Sequence, residues 1–280
     1  MAKAQKTEPA VQDQTTQVAT LTEAQTALMA QMAEDTGSGF EEATSDCYAI
    51  PFVYILQSGS PQCKKSDGAY NPDAEEGMFF NSVSGELYDG DEGIEVVPVL
   101  FQQRFIAWGL REKGGGFKGE YLPSDPIVQK THKDPDPTKN RDIMDDFPDQ
   151  QLVDTRVHYC LLKVGESYQP VVMTFSSTQV KESKQWMSRM QNIKMTNPST
   201  GMQGPAPMAS RIWNLGTNAR SNDQGSWFGF KIGECREHLD PSLYAQAVEF
   251  RKAIVGGKAK ANHVDPMSEA AGGDEPEVAF

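Results

Sequence analysis

Four cysteines in 280 residues, Cys47, Cys63, Cys160 and Cys235, are widely spaced, and none falls in a Cys-x-x-Cys pair. Disulfide-stapled small folds are denser in cysteine, so a reducing compartment is the expected setting. Histidine is as scarce. His132, His158, His238 and His263 show no ligand spacing with one another or with the cysteines, so neither a metal site nor a cofactor is expected. No run of about 18 apolar residues is present, and nothing is expected to span a membrane. The start of the chain has no apolar signal core, so secretion is not expected. Gly114-Gly115-Gly116 is not followed by Gly-Lys-Ser/Thr and is not a phosphate loop. Ser176-Ser177-Thr178 has no Gly-x-Ser-x-Gly frame and no obvious base. Asp89, Asp91 and Glu92, like Asp145, Asp146 and Asp149, sit in turn-rich stretches, which is the chemistry of solvated loop acids. No catalytic constellation emerges, and an enzyme is not expected.

Apolar content is also low, at 38%, so part of the chain is expected to lie outside a packed core. Positive charge is outnumbered, and the net charge is −13. Its distribution is uneven. Residues 1–46 carry −6, residues 47–150 carry −8, residues 151–263 carry +6 and residues 264–280 carry −5. One continuous basic block is thus masked by acidic flanks, and the distribution says more about partners than the sum does.

What is present begins with residues 1–46, rich in Gln, Thr, Ala and Glu and read as a disordered acidic arm. Within it Leu21, Ala24, Leu28 and Met32 recur at near-helical spacing. The ordered part is expected from Ala49 to Gln57, as a strand or a short helix. Met78–Val83 and Gly85–Tyr88 read as short strands, with Asp89-Gly90 turning into a central strand, Ile94–Phe101. Residues 122–150 hold five prolines and seven aspartates and read as a long surface excursion. Thr155–Lys163 pairs with Pro170–Phe175 across Gly165-Glu166-Ser167. A helix follows, capped by Ser177 or Thr178, with Val180, Met187, Met190 and Ile193 as its apolar stripe and Trp186 half buried. Residues 196–209 read as a mobile loop. Arg211–Leu215 and Ser226–Ile232 form a last hairpin around a polar loop containing Asn218, Arg220, Asn222 and Gly225. Asp240-Pro241-Ser242 opens a helix carrying Leu243, Ala247, Phe250 and Ile254, stopped by Gly256-Gly257. Six to eight short strands in antiparallel meanders predict a mainly β fold with appended helices (α+β). The expected form is an OB-like antiparallel β-barrel over 47–257, with long inserts at 122–150 and 196–209 and a flexible acidic tail over 258–280.

The stretch Gly93 to Tyr121 carries the functional signal. An apolar strand passes into Arg104, Trp108, Arg111, Lys113, Phe117, Lys118 and Tyr121 around the triple glycine. Cations that track phosphates and flat rings that stack on unpaired bases are what a single-strand groove needs. An ordinary hairpin with a buried aromatic cluster fits the same residues. Further candidate contacts come from the basic block: Lys181, Lys184, Arg211, Trp213, Trp227, Phe228 and Lys231. Trp227 and Phe228 point to opposite faces of a strand, so only one of them is expected to stack. The end of the sequence, with Asp274, Glu275, Glu277 and Phe280, reads as an acidic tail that competes for a basic groove and docks its ring on partner proteins.

The segments Ile50–Gln62, Gly77–Val99, Gly114–Tyr121 and Pro170–Trp186 resemble a family of tailed-phage proteins from early replication regions, single-stranded DNA-binding proteins, over about residues 47–255. The stretch Asp274–Phe280 is similar to the acidic, Phe-terminated tails of bacterial and T7-like phage single-stranded DNA-binding proteins. The resemblance implies an OB-type fold and sequence-independent binding of single-stranded DNA in phage DNA replication and recombination. It also implies recruitment of polymerase, helicase-primase or recombination proteins by the tail, in the cytoplasm of an infected bacterial host, with a homodimer among the possible assemblies. The acidic arm and the two inserts depart from bacterial relatives. A phage structural or scaffold protein and a metal-dependent DNA-processing enzyme are the alternatives.

Overall fold

A computed structural model describes residues 22–43, 49–223, 225–259, 261 and 263. The chain divides into two units, residues 1–44 and 45–280. In the first, helix α1 (Glu23–Glu34) bears out the near-helical spacing. Thr22 and Gln25 close a capping box at its start, and none of its residues is buried. Residues 35–43 follow the helix mostly as turns, and residues 1–21 and 44–46 of the expected arm lie outside the described residues.

The second unit is built on two long antiparallel strands, β4 (Ile94–Gly109) and β8 (Gln150–Val164), paired from Val96↔Leu162 to Gly109↔Gln150. Each strand is longer than any one of its outer neighbours covers, so the sheet has two ends. At one end, β12 (Arg211–Asn222) pairs with the first residues of β4 and with β13 (Gly225–Glu237), while β9 (Ser167–Ser176) pairs with β8 from Thr155 to Val164. At the other, β5 (Phe117–Tyr121) pairs with the end of β4, and β7 (Asp142–Met144) and β6 (Thr131–Lys133) extend from the start of β8. A separate sheet holds β1 (Val53–Ile55), β2 (Phe79–Asn81) and β3 (Leu87–Tyr88), and β10 (Lys194–Thr196) pairs with β11 (Gln203–Pro205).

The protein is therefore mainly antiparallel β with helices. The expected barrel is not formed: among the described residues no pairing joins the two edges of the eight-stranded sheet. Because β4 and β8 recruit different partners at their two ends, the sheet branches instead of closing. Among the described residues no helix is long and apolar enough to cross a membrane.

At the first end both faces are covered. On one, Val97, Val99, Val157, Tyr159 and Leu161 pack with Phe52, Tyr54, Leu56 and helix α3 (Pro241–Val255). On the other, Ile94, Val96, Cys160, Leu162 and Phe175 pack with Trp213, Phe230 and helix α2 (Val180–Asn192). Helix α3 forms as its sequence predicts. Asp240 accepts hydrogen bonds from the Ser242 and Leu243 amides, and Leu243, Ala247, Phe250 and Ile254 are the buried stripe. The strand-or-helix alternative at 49–57 falls to a strand, and the hairpin across Gly165-Glu166 forms as expected.

Four expectations are corrected. Neither Ser177 nor Thr178 caps α2, because the chain leaves β9 through a 3₁₀ turn, Ser177–Gln179. The buried stripe of α2 is Glu182, Ser183, Trp186 and Met190, so Trp186 is fully buried rather than half buried. The polar stretch around Asn218 and Arg220 is strand, paired out to Asn222↔Gly225. The 122–150 and 196–209 segments are not bare loops: the first supplies β6 and β7, the second β11 and a 3₁₀ turn with Ala209 and Ser210 buried.

Candidate functional site

One irregularity in β4 determines which side chains meet at the second end. Pro98 has no amide hydrogen to give the ladder, and the register with β8 shifts between Pro98 and Leu100. Before the shift, odd-numbered residues of β4 face the α3 side. Val99 and Leu100 then pack successively on that side, and beyond them the even-numbered residues face it. Phe101 accordingly turns the other way and meets His158, ring centroids 5.1 Å apart. The extra residue thus puts Gln102, Arg104, Ile106 and Trp108 on one face, called here the open face, where Ile106 is buried and the other three are partly covered.

A second irregularity finishes the set. Trp108 pairs with Phe117 and Ala107 with Gly119, which leaves Lys118 as the unpaired extra residue of β5. Phe117 and Glu120 therefore share the open face with Trp108 and Arg104. Phe117 meets Trp108 edge-on, centroids 6.0 Å apart, and keeps 45% of its surface in solvent. Gly114, Gly115 and Gly116 have φ of +98°, +63° and +82°. Three successive left-handed residues are open only to glycine at little cost, which accounts for the triple glycine. The turn is tied back by the Gly109 amide donating to the Gly116 carbonyl at 2.9 Å. A Cβ on Gly109 would stand 2.3 Å from the Gly115 oxygen.

The electrostatics are mixed. Arg104 is bound to Glu120 and also donates to Gln102 Oε1 at 2.7 Å. On the neighbouring turn, Arg141 bridges Glu112 and Asp134, with Lys139 beside Glu112. Arg141 holds the Glu112 carboxyl down at about 2. Lys113 and Lys118 are exposed, and their side chains make no ion pair among the described residues. Arg111 is exposed beside them. A hydrogen bond from His263, opposed by partial burial and reinforced by Arg104, holds the Glu120 carboxyl below the usual carboxylate range.

Of the sequence candidates, Arg104, Trp108, Arg111, Lys113, Phe117 and Lys118 come together on this hairpin. Tyr121 pairs with Phe105 on the opposite face and packs against a small cluster of Ala107, Val128, Met144 and Leu152. Trp213 is corrected: it is 1% exposed in the core, edge-on to Trp186 and beneath the Arg189 guanidinium, so no base reaches its ring. Phe228 is half buried against the same core, and a side chain at Gly77 would collide with its ring. Trp227 is half buried, with its indole nitrogen enclosed. Lys181 and Lys184 are exposed on α2, Lys231 is exposed on β13, and Arg211 is bound to Glu237. This second group does not join the hairpin. The β12 pairing at Val96 and the β5 pairing at Trp108 are twelve residues apart along β4, roughly 40 Å of extended strand. Asp274, Glu275, Glu277 and Phe280 lie outside the described residues. Sequence reasoning missed Glu120 and His263, both on the open face. Glu120 has a local signal, two positions from Lys118 on the same strand. His263 has none.

A family model described as Pam3 phage gp34-like protein matches residues 18–260. No curated protein matches the chain, and no solved structure does.

Proposed function

The chain belongs to the Pam3 phage gp34-like protein family, and we propose that it acts there as a single-stranded DNA-binding protein in phage DNA replication and recombination. The observation that carries this reading is the β4–β5 hairpin. It has a half-exposed Phe117 braced edge-on by Trp108, with Lys113 and Lys118 exposed on either side of the glycine turn. A flat ring in solvent stacks on any base, and neighbouring ammonium groups neutralise phosphates. Arg104 adds less charge than its sequence position suggests, because Glu120 already balances it.

Two features of the reading lie beyond the hairpin. The acidic residues Asp274, Glu275 and Glu277, with Phe280, recruit replication or recombination proteins. The site of action is the cytoplasm of the infected bacterium.

The test is a titration of tryptophan fluorescence with oligo-dT and with duplex DNA at several salt concentrations. Trp186 and Trp213 are buried, so quenching reports chiefly on Trp108 and Trp227, and Trp108→Phe separates those two. The expected result is quenching by the single strand, weakening as salt rises, with little response to duplex and most of the signal lost in Trp108→Phe. Absence of single-strand binding at low salt, by the full chain and by a chain ending at His263, overturns the proposal.

A further inference from the structure

One ring on the open face belongs to the segment that follows α3. His263 lies nearly parallel to Phe117, centroids 5.9 Å apart and planes 19° from parallel. Phe52 approaches the imidazole from another side at 5.6 Å. The His263 side chain is 5% exposed, and its Nε2 stands 3.2 Å from Glu120 Oε2. An ionised carboxylate only accepts, so that nitrogen carries the proton and donates. The other oxygen, Glu120 Oε1, is held by Arg104.

A flat heterocycle stacked on one ring, with an N–H aimed at a carboxylate, is also how a protein holds an unpaired base by its amino edge. We propose that Phe117 and Glu120 form a subsite for one base bearing an exocyclic amine, and that His263 is its built-in occupant, displaced when the strand binds. The inference rests on the single-strand reading above. It adds a modest base preference to otherwise sequence-tolerant binding. Arg104 leaves one carboxylate oxygen on offer, and a single projecting amine fits it. Cytosine and adenine have that amine. Thymine offers only an imino N–H recessed between two carbonyl oxygens, and those oxygens face the carboxylate with like partial charge.

The experiment titrates the full chain at pH 8 with oligo-dC and oligo-dT of equal length. The proteins are the unaltered chain, His263→Ala, Glu120→Gln and Phe117→Leu, each checked for folding by thermal melting. The unaltered chain is expected to prefer dC by roughly three- to tenfold, the scale of one hydrogen bond to a charged acceptor. His263→Ala is expected to tighten binding of both strands, dC more than dT. Glu120→Gln is expected to level the two. Phe117→Leu, changed at a half-exposed ring, keeps the fold and is expected to weaken both strands and shrink the preference. It therefore serves as the test if Glu120→Gln does not fold. Equal affinity for dC and dT in both the unaltered chain and His263→Ala overturns the subsite, and so does a preference that survives Glu120→Gln or, where that variant does not fold, Phe117→Leu. Either result leaves single-strand binding standing. Failure of every variant to bind either strand takes down the subsite together with the reading it rests on.

Discussion

The two ends of the β4–β8 ribbon are made from the same strands and treat water differently. At the β12–β9 end, α3 covers one face and α2 the other, and the small sheet packs into both, with Tyr54 and Phe80 on the α3 side and Val53, Ile55 and Phe79 on the α2 side. Trp186 and Trp213, the largest side chains there, are sealed. At the β5–β7 end one face has a small cluster around Ala107 and Met144, and the other shows Arg104, Trp108 and Phe117 half covered. The bulge at Pro98–Leu100 lies between these two regimes. It moves the parity of β4 by one, so the strand that buries Val97 on the α3 side also displays Trp108 there. The lesson is that one aromatic-rich strand supplies a core at one end and a surface at the other, and an extra residue decides which rings go where.

The largest effect that sharpens this contrast is at the sealed end. Trp186→Ala removes a ring packed against His158, Phe175 and Trp213. It is expected to cost about 3–5 kcal/mol of stability, read by denaturant unfolding, while the DNA affinity of the molecules that remain folded is unchanged. A parallel loss of affinity in the folded fraction would mean that the two ends are not separable.

A second probe of the sealed end is pH. Burial, helped by the charge of Arg156, pushes His158 down to about 3, and its Nε2 bonds Ser183 Oγ at 2.8 Å. Above the ordinary histidine value of about 6.5 both folded and unfolded chains hold it neutral, and it adds no pH dependence. Below that value the unfolded chain takes up a proton that the folded chain refuses. Stability therefore falls as pH drops from about 6.5 toward the folded value, by about 1.4 kcal/mol per pH unit from this group alone. His158→Met combined with Ser183→Ala removes the titrating group and its partner together. That variant is expected to lose less stability between pH 7 and pH 5 than the unaltered chain does. Identical slopes would show that His158 is hydrated or charged in the fold.

Much of this was legible in the sequence where one local signal decides the outcome. Asp240-Pro241 and the Leu243–Ile254 spacing define α3 completely, and Gly165-Glu166 sets its hairpin. The hairpin of β4 and β5 was legible too, because a triple glycine has few other uses. What was not legible depends on pairing. The α2 stripe fell on Glu182, Ser183 and Trp186 because Arg220 pairs with Glu182 Oε1 at 2.8 Å and His158 bonds Ser183. Those partners lie 38 and 25 residues away. Trp213 and Trp108 have similar basic and aromatic neighbours in sequence, and only the sheet shows one as core and the other as surface. The bulges at Pro98–Leu100 and Lys118 are register events, so the face of each ring beyond them could not be assigned from alternation alone. His263 reaches the open face through the path of the chain after α3, which no spacing encodes.

At the open end, Phe117→Ala is expected to reverse the pattern of Trp186→Ala. The ring is half in solvent, so the cost to stability is small. Loss of one stacking surface is expected to weaken single-strand binding by about 1–3 kcal/mol, roughly five- to 150-fold. A melting temperature close to that of the unaltered chain, with quenching by oligo-dT much reduced, is the expected result. A large drop in stability with affinity kept would place Phe117 in the core and remove the distinction between the two ends.

The smallest effect tests whether the open end is an electrostatic surface at all, since Arg104 is already balanced by Glu120 and the segment 47–150 is acidic overall. Lys113→Gln with Lys118→Gln removes two exposed ammonium groups whose side chains have no ion pair among the described residues. Neither contributes to the packing described above, so stability is expected to stay within about 0.5 kcal/mol. Each phosphate contact adds about 0.7 to the slope of log affinity against log salt for a single strand. If both lysines meet phosphates, the double variant is expected to lose about 1.4 from that slope, with the preference for single strand over duplex unchanged. The same measurement on Lys181→Gln with Lys184→Gln, on α2 at the sealed end, is expected to leave the slope as it was. A slope that responds to the α2 pair and not to the hairpin pair would move the phosphate track to the other end of the ribbon, leaving Phe117 and Trp108 as surface rings without a strand to stack on.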